Sequence, residues 1–360
     1  MNYFFGFSYW KHDFIKPFFK NIEEDGIVFI NPLFKKNYYS LALKKGFNEN
    51  ATVYIWGKKD FPFVEEFAAR NGMKIYRVED GFIRSVGLGS DLTQPYSLIV
   101  DAKGIYFDPT QESDLEDILQ TADFDEALLK RAKQIREYLV EKKLSKYNIY
   151  DNKKLDIVTE KKIVLVPGQV EDDASIKYGA AGMSNLELLQ EARRNAKDAY
   201  IIYKPHPDVL VGNRVGDIES DVALKYADKI VTEVGLDSVL SIADEVHTMT
   251  SLVGFEALLR GKTVFTYGIP FYAGWGLTHD KHQLTRRSRE LSLEELIAGV
   301  LILYPLYIHP KTRKICEIEV LLDALEKEKR VYDSSKYYQT MTKIRNFLSR
   351  KIQLLLQIIR

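Results

Sequence analysis

Short apolar runs closed by glycine, proline or acidic residues recur along this chain. Between them lie stretches in which apolar residues return every three or four positions. The runs predict strands and the spaced stretches predict helices, because side chains alternate along a strand and share a face at 3.6-residue spacing along a helix. In the first part, Ile27 to Ile30 and Val53 to Trp56 read as strands, the second closed by Gly57. Val64 to Asn71 reads as a helix stopped by Gly72, and Lys74 to Val78 as the next strand. Leu98 to Asp101 and Ile105 to Phe107, joined by Ala102-Lys103-Gly104, predict a hairpin. Ser113 to Leu119 and Asp125 to Lys142 read as helices.

A second series opens at Ile163-Val164-Leu165, a strand broken by Pro167 and Gly168. Ser184 and Glu187 form a capping box for a helix through Arg194, and Ser292 and Glu295 another for a helix through Leu303. Ala199 to Tyr203, Lys229 to Val234, Glu245 to Met249 and Thr263 to Thr266 are strand-like. Helices are expected over Leu236 to Ala243, after Thr250-Ser251-Leu252-Val253-Gly254 through Arg260, and over Ile318 to Lys329 as a return segment. This βα alternation predicts parallel sheets with helices on their faces. The polar segment Ser145 to Lys162 reads as a linker. The expected architecture is α/β: two Rossmann-like domains, residues 1–150 and 151–315, flanking a cleft, followed by C-terminal helices over 316–360.

A hydrophobic content of 46% with 28% charged residues describes a globular chain rather than a disordered or fibrous one. Acids and bases balance at 51 each, so no basic field points to nucleic acid. The single cysteine, Cys316, excludes an internal disulfide framework and a cysteine-built zinc site. The start, MNYFFGFSYWKHD, is aromatic but lacks a basic leader and a sustained apolar core. No apolar run is long enough to span a bilayer, so a cytoplasmic location is expected. From Lys336 onward there is no acid, while Lys336, Lys343, Arg345, Arg350, Lys351 and Arg360 are basic. Ile344, Phe347, Leu348, Ile352, Leu355 and Ile359 fall between them at roughly helical spacing. This is the composition of a helix lying on anionic lipid; the competing reading is a helix docked on the protein's own surface.

The candidate chemistry lies at expected strand carboxyl ends, where open α/β sheets bind ligands. Those loops are Glu79-Asp80-Gly81, Glu171 to Asp173, Lys204 to Asp208, Thr250 to Glu256 and Gly268 to Gly276. Their carboxylates suit acid, base or nucleophile roles. Lys204, His206 and the amides of a helix opening after Ser251 suit a phosphate, and Glu256, expected in that helix's first turn, suits a ribose diol. Together they fit a nucleotide-sugar donor.

These stretches carry a resemblance. EDGFIRSVGLGSDL (Glu79 to Leu92), GIYFDP (Gly104 to Pro109), LSKYN (Leu144 to Asn148), VPGQVEDDAS (Val166 to Ser175), YKPHPDVLVGNR (Tyr203 to Arg214) and SLVGFEALLRGKTVFTYGIPFYAGWGLT (Ser251 to Thr278) resemble the capsule-polysaccharide β-Kdo transferases of the KpsC type. Familiar members carry two such modules; this chain has length for one, and its wording is more like the second. The resemblance implies a GT-B-like glycosyltransferase using CMP-β-Kdo, with retention, in building a Kdo linker on a phosphatidylglycerol-type lipid. It implies a Kdo-terminated glycolipid or other glycan acceptor; the basic tail adds the inner-membrane surface and the single module other capsule transferases as partners, and no metal or other cofactor is expected if the site's own groups neutralise the leaving phosphate. A related pair of signatures in bacterial sialyltransferases, an acidic-acidic-Gly motif and a His-Pro motif, is matched by Glu79-Asp80-Gly81 and His206-Pro207.

On that resemblance Asp173 is the expected nucleophile, with Asp172 its rival, and Glu79 the acid/base group, with Asp80 behind it. His206 and Lys204 would contact the leaving phosphate, and Ser251 and Glu256 phosphate or ribose. Arg84, Arg286 and Arg287 are candidates for the sugar carboxylate through bidentate pairing. Gln169, Pro207 and Gly254, within the matched motifs, complete the substrate-binding set. The competing expectations are an inverting CMP-sugar transferase of sialyl type, with a carboxylate as base, and a non-catalytic subunit docked on a capsule assembly complex.

Overall fold

The computed structural model describes residues 1–341 apart from 33–36, 88–92, 147, 149–154, 211–213 and 336–339. The basic segment from Lys336 therefore lies almost wholly outside the described residues. So do parts of the expected linker and of the Glu79 to Leu92, Leu144 to Asn148 and Tyr203 to Arg214 motifs. In chain order the first strands are β1 (Asn2–Phe5), β2 (Ile27–Ile30), β3 (Thr52–Trp56), β4 (Ile75–Asp80) and β5 (Ser97–Asp101). Next come β6 (Ile163–Pro167), β7 (Tyr200–Lys204), β8 (Lys229–Ile230), β9 (Glu245–Thr248), β10 (Thr263–Thr266) and β11 (His279–Asp280). The last are β12 (Leu306–Ile308) and β13 (Ile315–Cys316).

The chain divides into two compact units, one of residues 1–105, 144–149 and 300–360, the other of 106–143 and 150–299. The boundaries expected at 150 and 315 are thus displaced: 106–143 belong with the second unit and 300–315 with the first. The reason is a set of long-range bonds that sequence spacing does not reveal. In the second unit, Arg286 and Arg287 both pair with Glu116, and Arg289 donates to the Ala122 carbonyl at 2.7 Å. In the first, the Tyr304 hydroxyl donates to Asp101 at 2.6 Å.

The first unit holds a seven-stranded sheet in the order β13-β12-β5-β4-β3-β1-β2. Strands β2, β1, β3 and β4 run parallel, whereas β5, β12 and β13 are joined antiparallel. Strand β1 comes from the aromatic start, which sequence reading had not made a strand; all four of its residues are buried. Alternation sends Tyr3 and Phe5 with Val53 and Ile55 to one face, and Phe4 with Tyr54 and Trp56 to the other. Both faces are covered, so the run reads as continuously apolar. The expected hairpin after β5 is absent. Asp101 Oδ1 accepts from the amides of Lys103 and Gly104, which turns the chain, and β5 pairs with β4 and β12 instead.

The second unit holds a six-stranded sheet in the order β11-β10-β9-β6-β7-β8, parallel throughout. Val164, Val166, Ile201 and Tyr203 share one face with Leu188, Leu189 and Ala192 of the Asn185–Asn195 helix. Both expected capping boxes are present. The helix opened by Ser292 continues into a wider π-type turn over Ala298–Leu303, where the chain passes into the first unit. The Ile318–Ser334 helix belongs to the first unit.

Candidate functional site

Because the second sheet is parallel, the loops after β6, β7, β9 and β10 leave from one edge. Backbone bonds tie them together: Gly168 N–H donates to the Lys204 carbonyl at 2.8 Å, and Ile269 N–H to that of Gly179 at 2.8 Å. Gln169 bridges two of the loops, its buried amide donating to Thr250 Oγ1 at 2.9 Å and accepting from Thr250 N–H at 3.0 Å. Asn185, fully buried, accepts from Gln169 N–H at 2.8 Å and donates to the carbonyls of Gln169 and Gly216. The acidic loop is thereby held at both ends.

Its three acids have separate fates. Glu171 accepts from Asn185 N–H at 2.7 Å, a structural bond. Asp172 receives Arg214 Nε on both oxygens, at 3.0 and 3.1 Å. Asp173 is exposed and caps the Ala174–Gly179 helix, accepting from Ser175 N–H at 3.0 Å and Ser175 Oγ at 3.2 Å through Oδ1. That helix had not been expected.

His206 follows β7. Its Nδ1 accepts from Asp208 N–H at 3.2 Å, which leaves the imidazole proton on Nε2. Burial holds the imidazole below its ordinary pKa, against the opposite pull of Asp208 and Asp173, while Arg214 reinforces the lowering. His206 is thus a neutral hydrogen-bond donor near neutral pH. Burial also lowers the Lys204 ammonium, which donates to the Val234 carbonyl at 2.6 Å. Pro207 is the first residue of the Pro207–Leu210 turn, in keeping with its fixed φ and missing N–H.

Ser251 caps the Leu252–Leu259 helix, its Oγ accepting from Val253 N–H at 3.2 Å. Gly254 is required by packing, since a Cβ there would lie 2.6 Å from Cζ of the wholly buried Tyr272, whose hydroxyl donates to the Ser251 carbonyl. Glu256 lies in the second turn, not the first, and is buried.

In the first unit β4 delivers Glu79 and Asp80 side by side. Glu79 Oε1 accepts from Asp80 N–H at 2.9 Å, and Gly57 leaves room for its other oxygen, which a Cβ at that position would approach to 3.0 Å. Asp80 Oδ2 accepts from Arg84 Nε at 2.8 Å, and its Oδ1 stands 3.7 Å from the Lys11 ammonium. The two carboxyls are driven apart. Burial and the Asp80 charge push Glu79 up, with Lys11 and Lys146 opposing. Burial opposes the Asp80 charge too, but Lys11, Arg84 and Lys146 outweigh it and hold that carboxyl at about 2. Lys146 arrives with the Leu144 to Asn148 motif, which folds back onto this segment: the Lys146 carbonyl accepts from Arg84 N–H at 3.0 Å, and Asn148 Nδ2 donates to the Ser85 carbonyl at 3.0 Å.

The three arginines expected at a sugar carboxylate are engaged internally. Arg84 is fully buried and donates to Asp80, Ser85 Oγ and the Thr93 carbonyl. Arg287 donates to Glu116 at 2.9 Å and to the carbonyls of Pro270 and Ala273. Arg286 pairs with Glu116 and with the Pro109 carbonyl. Lys11, Arg214, Glu116 and Asn185 had been given no role from sequence. For Lys146 and Arg214 a signal existed, since both lie within motifs that carry the resemblance.

Two solved structures of substantial identity resemble the chain. Its TM-score is 0.74 against Thermosulfurimonas dismutans KpsC, β-Kdo 2,7-transferase, with 39% identity over 91% of this chain and 99% of that one. Against the β-Kdo 2,4-transferase of the same KpsC the TM-score is 0.73, with 31% identity over 90% and 97%. The two Rossmann-like α/β units are therefore of the GT-B-like class. The family described as capsule polysaccharide biosynthesis protein matches residues 52–307, and the chain belongs to that family. It is 47% identical over 325 residues to the capsule polysaccharide modification protein LipA of Neisseria meningitidis serogroup A, covering 90% of this chain and 45% of LipA. It is 38% identical to the lipopolysaccharide-processing protein LpsZ of Rhizobium meliloti, over 90% of this chain and 74% of LpsZ. The chain thus spans somewhat less than half of LipA.

Proposed function

We propose that the protein is a retaining β-Kdo transferase that moves Kdo from CMP-β-Kdo to a Kdo-terminated glycolipid or related glycan acceptor in capsule polysaccharide biosynthesis. The observation that carries this reading is similarity along nearly the whole of two chains, each named as a β-Kdo transferase. In the first displacement the Asp173 carboxylate bonds to the anomeric carbon as the bond to the CMP phosphate breaks, the electron pair leaving with the phosphate. His206 Nε2–H and Lys204 relieve the charge that develops there, so the reading calls for no metal. In the second, the acceptor hydroxyl gives its proton to Glu79 while its oxygen bonds to the anomeric carbon and the Asp173 ester opens. Two inversions give retention.

Asp173 is preferred to Asp172 because Arg214 already occupies both oxygens of Asp172. Glu79 is preferred to Asp80 because burial and the Asp80 charge push its carboxyl up, which favours a group that takes and gives a proton, whereas Asp80 stays ionised. The acid-free stretch from Lys336 supports a further part of the reading, work at the cytoplasmic face of the inner membrane beside other capsule transferases. The test is intact-protein mass after incubation with CMP-Kdo, in wild type and Asp173→Ala. A gain of one Kdo unit in wild type alone, mapped to Asp173, is expected. A product of inverted anomeric configuration would remove the double displacement.

A further inference from the structure

The aromatic start contributes more than a strand. Lys11 ends the short Tyr9–Lys11 turn that follows β1, and its side chain is 11% exposed. Its ammonium stands 3.1 Å from the centroid of the Trp56 ring and 5.3 Å from that of Trp10. The face of an indole attracts a cation strongly when both are withdrawn from water. Beyond the ammonium is Asp80 Oδ1, at 3.7 Å, an oxygen that accepts no hydrogen bond among the described residues. Trp56 and Asp80 end the adjacent strands β3 and β4, so the sheet itself fixes the gap that Lys11 fills.

Burial lowers the Lys11 ammonium from its ordinary value and Arg84 adds to that, while Asp80 and Glu79 pull it back up and the Trp56 face favours the cation. The charged groups that bear on Glu79 are Asp80, Lys11 and Lys146; those that bear on Lys11 are Asp80, Glu79 and Arg84. Arg84 is already divided among Asp80, Ser85 and Thr93.

We propose that Lys11, seated between the Trp56 indole and Asp80, is a positioning residue that pins Asp80 as a carboxylate beside Glu79 and through that pair governs proton transfer by Glu79. The inference rests on the acid/base reading of Glu79. Proton acceptance needs the Glu79 carboxylate, so kcat/KM for the acceptor falls on the acid side as Glu79 protonates. Lys11 favours the ionised form of both carboxyls. Its removal therefore moves the acidic limb to higher pH.

The experiment is the pH profile of kcat/KM in wild type, Lys11→Met, Lys11→Arg, Asp80→Asn and Glu79→Gln, with CMP binding as the check on folding. In Lys11→Met the acidic limb is expected to rise by about one pH unit, with activity recovered above it. Lys11→Arg should restore the limb, and Asp80→Asn, which removes a negative neighbour, should lower it. A uniform loss at every pH in Lys11→Met, with the limb in place, would reduce Lys11 to a structural role and overturn the inference. Should that variant bind no CMP, Asp80→Asn decides: a limb that stays or rises overturns it equally. An acidic limb surviving in Glu79→Gln would instead remove Glu79 from catalysis and take the inference with it, a result distinguishable from failure of Lys11 alone.

Discussion

His247 shows what burial does to one side chain. It is 1% exposed, stacked on Phe265 with centroids 4.5 Å apart, and its Nδ1 meets the Tyr267 hydroxyl at 2.9 Å. Burial lowers its pKa to about 4, outweighing Glu245 at 3.6 Å. The unfolded chain therefore binds this proton first, and acid favours unfolding. The contribution is fully present above the ordinary value of 6.5 and is lost as pH falls toward about 4. The stability difference between wild type and His247→Gln should shrink by roughly 2 kcal/mol between pH 7 and pH 5 in urea denaturation. A difference independent of pH would show that burial does not disfavour the imidazolium here. The same scale sets a limit on reading function from sequence. Glu171, Asp172 and Asp173 are three carboxylates in a row, and only Asn185, Arg214 and Ser175 show which task each one has. Two of those partners are far along the chain.

At the scale of elements, Glu116 fastens the Asp114–Thr121 helix to the loop carrying Arg286 and Arg287. The Glu116 and Arg287 side chains are 5% and 4% exposed, so removing one charge leaves the other buried without its counter-ion. Glu116→Gln is expected to cost about 3–5 kcal/mol, read as a lower denaturation midpoint. If Arg287 were instead held in reserve for a substrate, stability would stay put and the acceptor or donor KM would move. Strands and helices with turn or cap signals were legible: Gly57, Gly72, and the Ser184 and Ser292 boxes mark real boundaries. Strand β1 was not, because a run buried on both faces has no alternation to read. The hairpin expected after β5 did not form because both edges of β5 are already paired, one with β4 and the other with β12, a strand some two hundred residues further on.

For the whole molecule, the fold class was legible from the βα rhythm, while the unit boundaries were not, since they depend on pairings such as Tyr304 with Asp101. Among the described residues no helix is long and apolar enough to cross a membrane. The proposed attachment to lipid rests on the basic stretch from Lys336. Removing residues 336–360 is expected to abolish co-sedimentation with anionic vesicles, and unchanged sedimentation would place any lipid contact elsewhere. The interleaving of the two units also bears on how the chain is made. Residues up to 299 complete the second unit, whereas the first still awaits β12 and β13. On the ribosome, then, the later-encoded unit matures before the earlier one. Meanwhile the β5 edge, with Asp101 lacking its Tyr304 partner, stays open until residues 306–308 emerge. At about 5–20 residues per second that interval lasts roughly ten to forty seconds. An open sheet edge is a template for pairing with another chain. The nascent protein is therefore most in need of a holding chaperone while its N-terminal sheet is nearly, but not fully, assembled.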